Sequence, residues 1–169
     1  LFKGKYCAVT LVATLLLATL SCNKMDSYYS AGDFENVAKT DGHFHYLTDD
    51  TAFIRYAISL NFRLLTPVWD GEEAPVAEQI RIASGIKKIY PDQYAFFGTF
   101  MAGKFGEKDF SAYIEESIRR FMDEGASGLK LWKNIGMVLK DSTGKYLMID
   151  DPAFEPMFRF LVNHYFIAA

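Results

Sequence analysis

The sequence predicts an α/β protein built as the first half, about four βα units, of a (β/α)8 barrel. Three observations predict it. From residue 39 onward, strand-like and helix-like runs alternate with a spacing of about 30 residues. Each strand-like run is largely apolar, as expected of parallel strands covered by helices. The position after the first strand, where a dinucleotide-binding sheet carries its glycine-rich phosphate loop, reads His43, Phe44, His45, Tyr46. Eight units of this size need about 250 residues, and the chain has 169, of which 148 lie beyond residue 21.

The elements follow in order. Residues 39–46 read as a short strand, and Asp49 or Asp50 can cap the helix over 51–60. Residues 62–69 form the second strand, with Pro67 near its end, where strand proline belongs. Asp70 and Gly71 break the chain, and Pro75 opens a helix reaching about Tyr90 with Val76, Ile80, Ile82, Ile86 and Ile89 on its apolar face. Residues 94–100 are a third strand, apolar on both faces, with Phe96 and Phe97 expected in the core. A helix over 109–124 is stopped by Gly125, and residues 127–132 are the fourth strand. Residues 137–149 predict a hairpin turning at 141–144. Pro152 starts a fourth helix to about His164, and the apolar residues 165–169 read as the opening of a buried fifth strand, an expectation of truncation.

The first 21 residues predict a signal peptide, with residues 22–38 a linker and 39–169 the truncated barrel domain. Lys3 and Lys5 precede fifteen uncharged residues, 6–20. That run is short of the roughly 20 apolar residues that span a bilayer and suits a secretory h-region. Leu20, Ser21 and Cys22 resemble a bacterial lipobox, which prefers Leu where Thr19 stands, so Cys22 is expected to carry the lipid. The alternatives are plain secretion with Cys22 a bystander, or an uncleaved anchor. The expected place is the periplasm or cell surface of a bacterium, with the membrane reached through the lipid anchor. Cleavage leaves 16 basic residues against 21 acidic, a net charge of −5. No Lys/Arg-rich stripe is present, which argues against a nucleic-acid partner. The only cysteines, Cys7 and Cys22, lie in this segment, so the body has no disulfide framework and no cysteine-based zinc site.

Of three histidines, two are His43 and His45. Residues i and i+2 of a strand share a face, so both imidazoles, with Asp41 before them, are expected side by side at the barrel mouth, where barrel enzymes keep their sites. Two neutral imidazoles so placed can bind one Zn²⁺ or similar ion; a pair of solvated loop histidines is the plainer reading. His164 is expected to cap the fourth helix, where a cation suits the dipole. Lys130 shares a strand face with Gly128 and Trp132, pointing either into the barrel or at the helices, and needs a partner. Lys133 and Asn134 at the mouth of the fourth strand, like Trp69 and Asp70 at the second, suit either substrate contact or loop solvation.

Asp41 to His45 resembles the first-strand D-x-H-x-H of the amidohydrolase superfamily, specifically the amidohydrolase-related family of metal-dependent (β/α)8 hydrolases. Residues 125–137, followed by 144–154, resemble its fourth strand and the segment leading to the next helix; the likeness covers roughly residues 37–167. His-x-His is a weak signal alone, whereas the second stretch is long and rather specific. The resemblance implies His43 and His45 as ligands of one divalent ion, Zn²⁺ first, with Mn²⁺ or Fe²⁺ as alternatives. It implies two later ligands, a His after the fifth strand and an Asp after the eighth, that this chain does not contain. For Lys130 it adds the carboxylated lysine that bridges two ions in some members, beside substrate-carboxylate binding or a structural ion pair. The implied reaction is attack of metal-activated water on an amide, lactone or related bond of a small molecule, or decarboxylation or hydration on the same site. This chain alone is expected to be inactive. The competing readings are a noncatalytic surface lipoprotein that uses the scaffold for binding, and a chain complete in itself that leaves sheet edges exposed unless it forms an oligomer.

Overall fold

The computed structural model describes residues 29–71 and 74–169. The signal-peptide and Cys22 expectations lie outside them. No helix among the described residues is long and apolar enough to cross a membrane. The chain divides into two units, Leu1–Asn36 and Val37–Ala169. In the first, a 3-10 turn over Ala31–Asp33 is closed by the Asp33 carboxylate, which accepts from the Ser30 N–H at 2.7 Å and hydroxyl at 2.8 Å.

The second unit runs β1 (Lys39–Asp41), α1 (Ala52–Ser59), β2 (Phe62–Pro67), α2 (Val76–Ile89), β3 (Tyr94–Gly98), α3 (Phe110–Asp123) and β4 (Gly128–Leu129). A 3-10 turn (Pro152–Phe154) then leads into α4 (Glu155–Asn163) and β5 (Ile167–Ala168). The five strands form one sheet in chain order, every neighbour parallel. Parallel neighbours require a crossover between each pair, and the sheet curls as part of a barrel does. The expected strands are longer than the observed ones because their mouth ends leave the ladder for loops.

Register separates the two faces. Leu64 pairs with Tyr94 and Thr66 with Phe96, and all four are buried beneath the helices. Leu65 pairs with Ala95, Pro67 with Phe97 and Phe97 with Gly128, so these residues line the concave face. Phe96 is therefore helix-side core as expected, while Phe97 is a half-buried concave residue. Two glycines permit the close layers. A Cβ on Gly98 would clash with the ring of Phe121 on α3. One on Gly128 would lie 2.7 Å from the Phe97 ring and 2.8 Å from the Ile167 carbonyl.

The helices bury the expected stripes with local departures. In α2, Gln79, Ala83 and Ile86 follow the i, i+4, i+7 spacing of one face and are buried. Tyr90, four residues after Ile86, packs against that core, whereas Ile89 falls off the face and is 61% exposed. Gly125 ends α3 at φ 88°, the left-handed conformation a helix C-terminus favours. The N-cap of α1 is Thr51 rather than either aspartate; Asp50, one residue before it, accepts the Ala52 N–H at 2.8 Å, and Asp49 pairs with Arg81 of α2 at 2.7 Å. Both residues of β5 are exposed, against the expectation of a buried strand.

Candidate functional site

The strand ends carry the sequence-selected residues to one place. Beyond β1 the chain stays beside β2 but gains a residue. Lys39 N–H bonds the Asn61 carbonyl and Phe44 N–H the Leu65 carbonyl, so five steps on one strand face four on the other. That is a bulge, and it switches which side chains point inward. Asp41 pairs with Leu64, whose side chain faces the helices, so Asp41 does not share a face with the imidazoles as expected. Its carboxylate instead accepts the His43 N–H at 3.0 Å and holds the bulge. Phe44 stacks on Phe53 of α1 at 5.2 Å, and His43 and His45 line the cleft at the concave end of the sheet.

The two imidazoles converge. Their Nε2 atoms lie 3.0 Å apart and the rings meet edge to face at 4.8 Å. That separation suits one shared proton or one shared ion. With metal–nitrogen bonds of 2.0–2.1 Å, two ligating nitrogens stand about 2.9 Å apart at a right angle and about 3.3 Å at the tetrahedral angle. The pair meets that requirement. No group of three or more metal-ligating His, Cys, Asp or Glu side chains occurs among the described residues. His43 and His45 are two donors of such a set.

Two tryptophans flank His45. Trp69 packs edge-on at 4.5 Å, and Trp132 lies nearly parallel at 6.5 Å. The buried Nε1–H of Trp132 has no acceptor among the described residues. Trp69 is fixed in turn by Gln79, a residue the sequence did not single out. The buried Gln79 amide accepts the Trp69 N–H at 3.1 Å and donates to the carbonyls of Trp69 at 2.9 Å and Ala74 at 2.8 Å. A polar residue within the apolar stripe of α2 was the available signal.

Lys130 continues β4 with the inward parity of Gly128, its N–H bonded to the Gly98 carbonyl at 2.7 Å. It lines the cleft of His43 and His45 together with Lys133. The alternative of pointing at the helices is thereby removed, and no acidic partner bonds it among the described residues. Asn134, Trp69 and Asp70 line an adjoining cleft that shares His45, Trp132 and Lys133 with the first. Burial pushes the Asp70 carboxyl up, against a lowering hydrogen bond from the Ala102 backbone.

One wall of the first cleft follows the expected hairpin, which pairs only from Leu139 to Leu147 because Met137 closes a helical turn over Asn134–Met137. Lys140 and Tyr146 form an antiparallel bridge, and Asp141 accepts the Thr143 hydroxyl at 2.6 Å and the Thr143 and Lys145 N–H groups at 2.8 and 3.0 Å. These bonds hold the Asp141 carboxyl below the usual range. Gly136 at φ 87° turns the strand exit so that its N–H meets the Leu147 carbonyl at 2.6 Å, and Ile149 lines the cleft. Phe154, just beyond, packs with Phe100, Phe105 and Phe110 at 6.0–6.4 Å, anchoring the return. His164 stands apart, capping α4 through Nδ1 to the Phe160 carbonyl at 2.8 Å and stacking on that ring.

No family model, no curated protein and no solved structure matches this chain.

Proposed function

We propose that the chain forms the first half of a (β/α)8 barrel and belongs to a metal-dependent hydrolase of the amidohydrolase type. The observation that carries the reading is the 3.0 Å approach of the His43 and His45 Nε2 atoms at the concave end of an all-parallel sheet. His43 and His45 would hold one divalent ion, Zn²⁺ before Mn²⁺ or Fe²⁺, since neutral imidazole suits these ions. When bound, such an ion supplies an activated water and polarises a carbonyl.

The chain's own residues prepare the place. Asp41 fixes the bulge that turns both imidazoles inward. Trp69 and Trp132 flank His45 and limit its rotation. Lys133 and Asn134 stand at the mouth, where substrate polar groups arrive. The substrate is a small molecule with an amide, lactone or related bond. The protein is exported and held at a bacterial membrane by a lipid on Cys22, a reading supported by the apolar segment and lipobox-like residues of the sequence.

The test is the full-length protein purified without chelators. The expected result is a bound divalent metal and turnover of simple amides, lactones or esters. His43→Ala and His45→Ala should each lower metal affinity by about 100-fold or more, at the upper end of what even supporting residues of metal sites contribute. Metal binding without turnover would favour the noncatalytic scaffold. Wild-type metal affinity in both variants would refute the site.

A further inference from the structure

We propose that the cleft over His43 and His45 takes a small ligand bearing a carboxylate, which Lys130 holds by charge. This rests on the reading of the cleft as the substrate site and adds the substrate's chemical class.

The ammonium of Lys130 is the primary observation. Lys130 is half-buried on the concave side of the sheet. The ion pairs among the described residues join Arg81 to Asp49 and Glu78, and Arg159 to Glu155; none reaches Lys130 or Lys133. Several other lysines find partners: Lys39 and Lys87 donate to backbone carbonyls, and Lys104 and Lys140 lie over tyrosine rings. A half-buried lysine with no acidic partner is served by an anion in the cleft it lines. Lys130, half-buried, and Lys133, exposed, both line one cleft of a chain whose formal charge is −3, so the local field opposes the charge of the whole.

Shape narrows the class further. The cleft holds about 710 Å³, within the range of small-molecule sites. Leu131, Trp132, Ile135 and Ile149 supply apolar walls, which suit a planar or apolar body attached to the anion. A free inorganic anion would leave those walls unused.

The chain's only two tryptophans, Trp69 and Trp132, both pack on His45, so intrinsic fluorescence reads this site. The probes are hippurate, its neutral amide hippuramide, and inorganic phosphate. The expected result is hippurate binding at least about tenfold tighter than hippuramide, a difference of about 1.4 kcal/mol. Lys130→Met should abolish the preference and Lys130→Arg retain it, with folding checked by circular dichroism. Equal affinities, no response to hippurate, a preference that survives Lys130→Met, or a response to phosphate alone overturns the proposal. Zinc binding measured on the same samples separates the two readings. A protein that binds zinc without preferring the carboxylate loses this inference alone. One that prefers the carboxylate without binding zinc loses the metal reading alone.

Discussion

At the scale of single residues, function and stability are set by what each polar atom meets. Tyr94 illustrates the stability side. Its hydroxyl is buried without a hydrogen-bond partner of good geometry, the Thr66 hydroxyl beside it likewise, and burial pushes the phenol up to about 12. Because the folded value lies above the ordinary 10, the unfolded chain loses this proton first as pH rises. The contribution is therefore intact below pH 10 and is lost progressively toward 12, by up to about 3 kcal/mol. Denaturant melts at stepped alkaline pH should show that loss, and Tyr94→Phe should flatten it while costing little at neutral pH. An unchanged alkaline slope in Tyr94→Phe would contradict the assignment. On the functional side, the pairing of His43 with His45 was legible as an i, i+2 spacing. The place of Asp41 was not, because strand parity assumes an unbroken ladder, and one inserted residue reverses it.

Between elements, the site depends on supports that carry no chemistry of their own. The β2–α2 connection is held by Gln79, whose three hydrogen bonds pin the Trp69 backbone against α2. Gln79→Ala would leave the half-buried backbone groups of Trp69 and Ala74 without these bonds and should cost about 1–3 kcal/mol. It should also shift tryptophan emission to the red as Trp69 loosens. Equilibrium unfolding and an emission spectrum on the variant check both; wild-type stability and emission together would show that Gln79 supports nothing. The helix boundaries were legible because Pro75 and Gly125 punctuate them. The role of Gln79 was obscured because a glutamine is more often a solvated helix residue than a buried tether. The hairpin turn at 141–144 was readable from its residues, but the place of Ile149 in the cleft wall goes with the Gly136 turn and the phenylalanine cluster around Phe154, which the turn residues do not encode.

For the whole molecule, regular alternation of apolar strands and helices was enough to anticipate a parallel sheet in chain order. The sheet's curl was not in the alternation. Nor were the close layer contacts at Gly98 and Gly128, which only the packed structure identifies. The described residues provide two converging imidazoles and no third metal-ligating partner near them. Under the proposed function, whose remaining ligands belong to later strands of the barrel, the 169-residue chain with added Zn²⁺ should not turn over simple esters, lactones or amides; turnover abolished by His43→Ala would contradict that.

The central claim is that His43 and His45 share one ion, and the chain's three histidines make it directly measurable. Zinc titrated into the protein while the imidazole proton resonances are followed should move those of His43 and His45 together, saturating at one equivalent. His164, bonded to Phe160, should stay in place. Resonances of His43 and His45 that ignore zinc, or that move no more than His164 does, would contradict the account.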